Sequence, residues 1–100
     1  MAETKLTDPL GRAVILHDHT WFGHVIKGHP EVRGDRVRAE RAVSSPEEIR
    51  FSASDPDCRL YYGAADSRGI MIVVVADINL GLVKTAYRAR KKKGTVEWLR

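Results

Sequence analysis

All four histidines of this chain lie within thirteen residues, in the stretch HDHTWFGHVIKGH that runs from His17 through His19 and His24 to His29. Histidine is the side chain whose charge changes near neutral pH, and its neutral ring is also a common metal ligand. Three interpretations of the cluster therefore compete. It can form a metal site, it can transfer protons without a metal, or it can help to fill a small core.

The metal interpretation depends on His17 and His19. At positions i and i+2 of an extended segment their rings would share a face, and His24 or His29 could supply a third ligand. Zinc sites often use cysteine ligands or two histidines in an HExxH pattern. The stretch contains neither a cysteine nor this pattern. The cluster thus leaves a metal-dependent hydrolase as one alternative.

The packing interpretation applies best to His24. Trp21, Phe22, Val25 and Ile26 fall on one arc of a helix predicted from Thr20 to Lys27, and apolar residues at this spacing face a core. His24 lies one turn from Trp21, at the edge of that arc. A histidine in this position is often a partly buried packing residue.

The acid–base interpretation draws on the rest of the chain. A ribonuclease without metal needs one group to accept the proton of a 2′-hydroxyl and another to protonate the leaving 5′-oxygen. It also needs cations or hydrogen-bond donors on the phosphate. His24, His29, Arg50, Thr85 and Tyr87 could supply that set. The alternatives are strand propensity for Thr85, ring packing for Tyr87 and a solvated position for Arg50.

The charge is basic and unevenly spread. Lysine and arginine number 17 against 13 acidic residues, a net charge of +4, and such a surface attracts polyanions such as RNA. The last seventeen residues hold seven of the cations, opposed only by Glu97: Lys84, Arg88, Arg90, Lys91, Lys92, Lys93 and Arg100. We expect Lys84, Arg88 and the 91–93 run to bind substrate, with a merely solvated face as the alternative. Either Tyr61 or Tyr62 could stack on a base.

Other features bear on compartment and cofactors. Cys58 is the lone cysteine, so no internal disulfide can form, which fits a reducing cytoplasm. We expect no signal peptide, no membrane contact and no cofactor. The longest apolar run, Ile70 to Ala76, is too short to cross a bilayer.

The hydrophobic period changes along the chain. One domain is expected over residues 1–100, with residues 1–12 as a flexible lead-in. A strand at 12–17 and helices at 20–27 and 35–43 precede strands near 49–53, 60–64, 70–76 and 82–90, and a tail begins at Gly94. Period-two alternation after Pro46 indicates strands joined by short turns. The order predicts an α+β fold in which N-terminal helices pack on a four-stranded antiparallel sheet.

Several short motifs in this order resemble a known family. They are His24–Val25–Ile26 with His29–Pro30–Glu31, then Ser45–Pro46, Leu60–Tyr61–Tyr62, Ile72–Val73–Val74–Val75 and Thr85–Ala86–Tyr87. The chain resembles, over about residues 19–98, the phage-associated branch of the barnase–EndoU–colicin–RelE (BECR) nucleases. The resemblance implies a RelE-like fold and metal-independent RNA cleavage in toxin or phage-linked settings, with an antitoxin or immunity protein as a possible partner. It implies site positions at His24, His29, Thr85 and Tyr87, and also at Arg50 and Tyr61.

Three functions therefore stay open at the level of sequence. The first is a metal-independent endoribonuclease. The second is a non-catalytic RNA- or protein-binding module on the same fold. The third is the metal-dependent hydrolase that would use the histidine cluster.

Overall fold

A computed structural model describes residues 2–100 and shows seven strands. They are β1 (Glu3–Thr7), β2 (Ala13–His17), β3 (Glu48–Phe51), β4 (Cys58–Tyr62), β5 (Met71–Asp77), β6 (Leu82–Ala89) and β7 (Thr95–Leu99). Helix α1 spans residues 18–28: it begins as an α-helical turn at Asp18–Thr20, widens to a π-helix over Trp21–Val25 and ends at Ile26–Gly28. A 3₁₀ turn at Pro30–Val32 follows, and helix α2 spans Arg36–Ser44.

The strands form one mixed sheet in the order β1-β2-β6-β5-β4-β3-β7, curled into a half-barrel with two short helices. The predicted fold class, N-terminal helices on a four-stranded antiparallel sheet, is therefore wrong. β3 to β6 do form an antiparallel meander. However, β2 extends it through a parallel pairing with β6, and β1 and β7 add the two edges.

β2 is the strand predicted at 12–17, but the two edge strands, β1 and β7, were not predicted from the sequence. β1 has the sequence ETKLT, in which Leu6 is the one large apolar residue, and residues this polar give little periodicity. It is held by an antiparallel hairpin with β2, where Leu6 pairs with Val14, so residues 3–7 are a strand and not a lead-in. The C-terminal tail likewise becomes β7 by pairing with β3. Both edge strands therefore form because a neighbouring strand pairs with them, and not because of their own hydrophobic pattern.

The inner face of the sheet and the helices enclose the main core. α1 contributes Trp21, Val25 and Ile26, and α2 contributes Ala39, Ala42 and Val43. The sheet contributes Val14, Leu16, Ile49, Tyr61, Ile72, Val74, Ala76, Val83 and Ala86. β5, in the middle of the sheet order, is buried on both faces, which confirms the strand predicted there as central.

Helix α1 takes the place of a strand beside β6. The pairing of β2 with β6 is confined to Ile15 and Leu82, after which the chain leaves the sheet and α1 packs along β6. The Ile26 N–H donates to the Trp21 carbonyl five residues back, the π-helical pattern. Trp21 and Val25 are buried while His24 is exposed. The packing interpretation of His24 is therefore wrong.

The outer face carries a second, smaller core that the chain itself covers. Leu60, Tyr62, Met71 and Val73 are buried there. Because β6 and β7 lie on opposite sides of β5, β4 and β3, residues 90–94 must cross the sheet. The Lys93 N–H donates to the Tyr62 hydroxyl at 2.8 Å. The basic run is thus part of a crossover that seals the outer core.

Gly94, at the end of this crossover, offers a test of the packing. Its φ is +76°, and a Cβ there would overlap the Phe51 carbonyl oxygen, whereas Gly69 has a φ of +78° with open space around it. A left-handed conformation costs an L-residue about 1–2 kcal/mol. We expect Gly69→Ala to lower the free energy of unfolding by about that amount in urea titration, and Gly94→Ala to lower it by clearly more. Equal losses would show that the crossover does not press on β3.

Candidate functional site

A cleft of about 290 Å³ opens between α1, β6 and the turn that follows β3. His24 of α1 and Lys84 and Thr85 of β6 line it together. The structure therefore brings three of the predicted site residues into one place. His24 and Lys84 are exposed and Thr85 is half-buried, so these side chains are open to a ligand from solvent.

A β-bulge sets the position of Lys84. On β5, Val75 pairs with Thr85 and the next residue, Ala76, pairs with Val83, so Lys84 is the extra residue on β6. A bulge bends the strand and re-aims a side chain. It lets Val83 and Ala86 both face the inner core while Lys84 faces solvent. Regular alternation would not give this arrangement.

The rest of the cleft wall comes from the turn after β3, with Ser52, Ser54 and Asp55, from Cys58 at the start of β4 and from Val75 of β5. The Asp57 N–H donates to the Asp55 carboxylate at 2.9 Å. This bond first, and then the Cys58 thiol and the nearby Lys84 cation, hold the pKa of Asp55 below its ordinary value. Burial, and next the hydrogen bond to Asp55, raise the pKa of Cys58. Cys58 is thus kept as a thiol. The sequence had marked this segment only as a turn.

A second pair lies two residues further along β6. The rings of His29 and Tyr87 have centroids 5.7 Å apart at an angle of 40°. Nδ1 of His29 is 3.4 Å from a carboxylate oxygen of Glu31. Burial raises the pKa of Tyr87, and the nearby Tyr62 adds to that rise, so Tyr87 keeps its proton and can donate a hydrogen bond. Thr85 and Tyr87 lie on one side of the strand, about 7 Å apart at 3.3–3.4 Å per residue.

Two cations of the predicted site, Arg50 and Lys92, have structural partners outside the cleft. Arg50 binds the Glu48 carboxylate and donates to the Gly94 carbonyl. Lys92 forms an ion pair with the same buried Glu48 at 2.7 Å. These two cations therefore fix the crossover to β3. Lys91 and Lys93 are exposed on the same segment.

Arg88 and Tyr61 also have structural partners. Arg88 forms an ion pair with the buried Asp35, just before α2, at 2.9 Å. Tyr61 is fully buried in the inner core, and its hydroxyl donates to Asp8 at 2.6 Å. Its ring has no exposed face on which a base could stack. Of the residues predicted to bind substrate, Lys84 is the one that the cleft contains.

Metal ligation has little basis in the geometry. The rings of His17 and His19 stack with centroids 5.0 Å apart, and His17 lies 3.8 Å from Glu3. Over residues 2–100, no three His, Cys, Asp or Glu side chains are placed so that they could share a metal ion. Neither His17 nor His19 lines the cleft.

Comparison with models of known protein families, with curated proteins and with solved structures gives no match. Among the described residues, neither helix is long and apolar enough to span a membrane.

The bond from Tyr61 to Asp8 gives a prediction on stability. Burial alone would raise the pKa of Asp8, but hydrogen bonds from Tyr61 and Arg12 outweigh it, so the net pKa lies below the ordinary 3.8. This stabilisation is present above pH 3.8 and is lost as pH falls through the lower pKa of the folded state. We expect Tyr61→Phe to lower the free energy of unfolding at neutral pH by about 1.5–3 kcal/mol.

The Tyr61→Phe variant lacks part of that stabilisation. The difference in free energy of unfolding between the variant and the wild type should therefore become smaller as pH falls below about 4. Urea unfolding across a pH series measures both quantities. Tyr62→Phe is the control, since its hydroxyl pairs with a neutral backbone N–H. A gap for Tyr61→Phe that is constant with pH would contradict the coupling to Asp8.

Proposed function

We propose that the protein is a metal-independent endoribonuclease whose active site is the cleft between α1 and β6. One observation carries the proposal: His24, Lys84 and Thr85 share a cleft, and His29 and Tyr87 meet two residues along the same strand. The resemblance to BECR nucleases implies the same activity. Its implied fold differs from this one, so the proposal depends on the side chains rather than the architecture.

The reaction we propose is transphosphorylation. A base removes the 2′-hydroxyl proton, O2′ attacks phosphorus and the P–O5′ bond breaks. An acid then protonates O5′, leaving a 2′,3′-cyclic phosphate and a 5′-hydroxyl. Two proton-transfer groups suffice, provided that they lie on either side of the phosphate.

The surroundings suggest a division of roles. Glu31 lies beside Nδ1 of His29, where it can fix the tautomer that leaves Nε2 free to accept a proton. We therefore assign His29 as the base and His24 as the acid. Lys84 and Thr85 of β6 share the cleft with His24, and Tyr87 of the same strand lies beside His29, so β6 adds a cation and two hydroxyl donors. Such donors stabilise the charge that builds on phosphate oxygens.

The setting we propose is a cytoplasmic, toxin-like or phage-linked nuclease, in keeping with a lone, buried thiol at Cys58. Its substrate would be RNA, and an antitoxin or immunity protein would inhibit it by covering the cleft. Lys84 is exposed at the cleft, and its charge can attract RNA or an acidic inhibitor protein.

The proposed activity is tested with purified protein and mixed RNA, with and without EDTA. We expect cleavage that EDTA leaves intact and products that end in 2′,3′-cyclic phosphate. Cleavage that EDTA abolishes and zinc restores would favour a metal-dependent hydrolase. RNA that is bound but never cut would favour a binding module.

Substitutions test the assigned residues. We expect His24→Ala and Tyr87→Phe each to lower the cleavage rate by roughly 10²-fold or more, because each removes a proton-transfer group or a phosphate donor. Since His24 is exposed, the melting temperature of His24→Ala should match the wild type. His19→Ala is the control, an exposed histidine outside the cleft. An unchanged rate in His24→Ala would remove the cleft from the mechanism.

A non-catalytic RNA-binding module is the second candidate, favoured by the exposure of Lys91 and Lys93 on the crossover. If both contact phosphates, the double change to alanine should flatten the slope of log K against log salt by about 1.4, since single-stranded binding contributes about 0.7 per contact. Lys92→Ala should instead lower the melting temperature, because it removes a partner of the buried Glu48. An unchanged slope in the double variant would show that the run serves only the fold.

A further inference from the structure

A second cavity, of about 430 Å³, lies at the other end of the sheet from the cleft. Its wall includes Gly63, just after β4, whereas the cleft includes Cys58, where β4 begins. The two positions are about 16 Å apart along an extended strand at 3.3 Å per residue. The two cavities share no lining residue, so this one is separate from the proposed active site.

Three arginines line the cavity: Arg38 and Arg41 of α2, and Arg100, which follows β7. Arg38 and Arg41 are three residues apart and so lie on one side of the helix. The Arg100 backbone is fixed by a hydrogen bond from its N–H to the Glu47 carbonyl. Two elements that are distant in sequence therefore bring guanidinium groups to one opening.

The positive charge of this cavity is only partly balanced. Arg100 has an exposed partner in Glu47 at 2.9 Å, and Arg38 lies 3.8 Å from Asp35. Within residues 2–100, no Asp or Glu side chain forms an ion pair with Arg41, and none lines the cavity. Arg100 in this respect resembles Arg12, Arg36, Arg50, Arg59 and Arg88, which all have a carboxylate within 3.1 Å, whereas Arg38 and Arg41 do not. Three like charges around one opening repel each other, and a bound anion would relieve this repulsion.

The floor of the cavity is apolar and kept open by small residues. Ala42 and Ile72 are buried, and a Cβ on Gly63 would lie 3.3 Å from the Ala42 Cβ. The Ser45 hydroxyl adds a neutral donor at the rim. A volume of 430 Å³ is within the roughly 300–1,000 Å³ typical of small-molecule sites, and it exceeds what a bare phosphate would fill.

From this combination we infer that the cavity between α2, β4 and Arg100 binds a phosphate monoester that carries an uncharged organic group, such as a nucleoside or sugar monophosphate. The guanidinium groups bind the phosphate, for which their fork geometry is suited. The organic group lies against the exposed Ala64 of the cavity wall, above the floor that Ala42 and Ile72 form. The site does not depend on whether the cleft cuts RNA.

Calorimetric titration at constant ionic strength, with 5′-AMP, ribose 5-phosphate and inorganic phosphate as probes, tests this inference. We expect saturable binding, with at least one of the two monoesters binding more tightly than inorganic phosphate. Arg41→Ala should weaken the tighter monoester about 10- to 100-fold, the effect of losing one charge-assisted hydrogen bond. Arg33→Ala is the matched control, an exposed arginine outside the cavity.

A second variant tests whether the organic group of the ligand occupies the cavity. It reduces the volume of the cavity and leaves the charge unchanged. Ala64 is exposed at the cavity wall, so Ala64→Leu should fold normally and still reduce monoester binding. Absence of saturable binding by any probe would overturn the inference. So would equal affinity for inorganic phosphate and both monoesters, or equal losses in Arg41→Ala and Arg33→Ala.

Discussion

The Glu97 carboxylate is the contact on which the curl of the sheet depends. It accepts hydrogen bonds from Arg12 at 2.6 and 2.9 Å and from Arg59 at 2.9 Å. Arg12 lies in the turn between β1 and β2, at one edge of the sheet order, whereas Glu97 lies on β7 at the other edge. Arg12 also binds Asp8, which accepts the Tyr61 hydroxyl. This network, in which Asp8 and Arg59 are buried and Arg12 and Glu97 are half-buried, joins both edges to the middle of the sheet.

The same network neutralises part of the basic charge, because Glu97 pairs with both Arg12 and Arg59. Glu97 is the extra residue of a bulge on β7, because Ile49 pairs with Trp98 and Arg50 with Val96. The bulge lets Glu97 and Trp98 both approach the inner side, where Trp98 packs against the main core. A net charge of +4 therefore overstates the surface available to a polyanion. The cations that stay open to a polyanion include the lysines at the bulge on β6 and on the crossover, the arginines of the second cavity, and the exposed Lys5, Lys27, Arg33 and Arg90.

Sequence reasoning succeeded where local pattern determines structure and failed where distant partners do. The apolar run of β5 and the alternation around Tyr61 are strong local signals, and they gave the meander. β1 contains one large apolar residue, and β7, although it contains Val96, Trp98 and Leu99, is only five residues long; both are strands because β2 and β3 pair with them. The site followed the same division. Thr85 and Tyr87 are two residues apart on one strand, so local alternation is enough to put them on one side. The burial of Tyr61 and the pairing of Arg50 instead depend on Asp8 and Glu48, which no local pattern connects to them.

The pairing of β2 with β6 connects the fold to the cleft. Because it stops at Ile15 and Leu82, the rest of β6 has no strand on that side, and α1 packs there instead. A strand in this position would place backbone along Thr85 and Tyr87, whereas a helix places side chains there. The π-helical segment keeps Trp21 and Val25 in the core while His24 stays exposed and reaches the cleft. The chain leaves the sheet at the end of β2, within the histidine cluster. This exit places His24 and His29 beside β6.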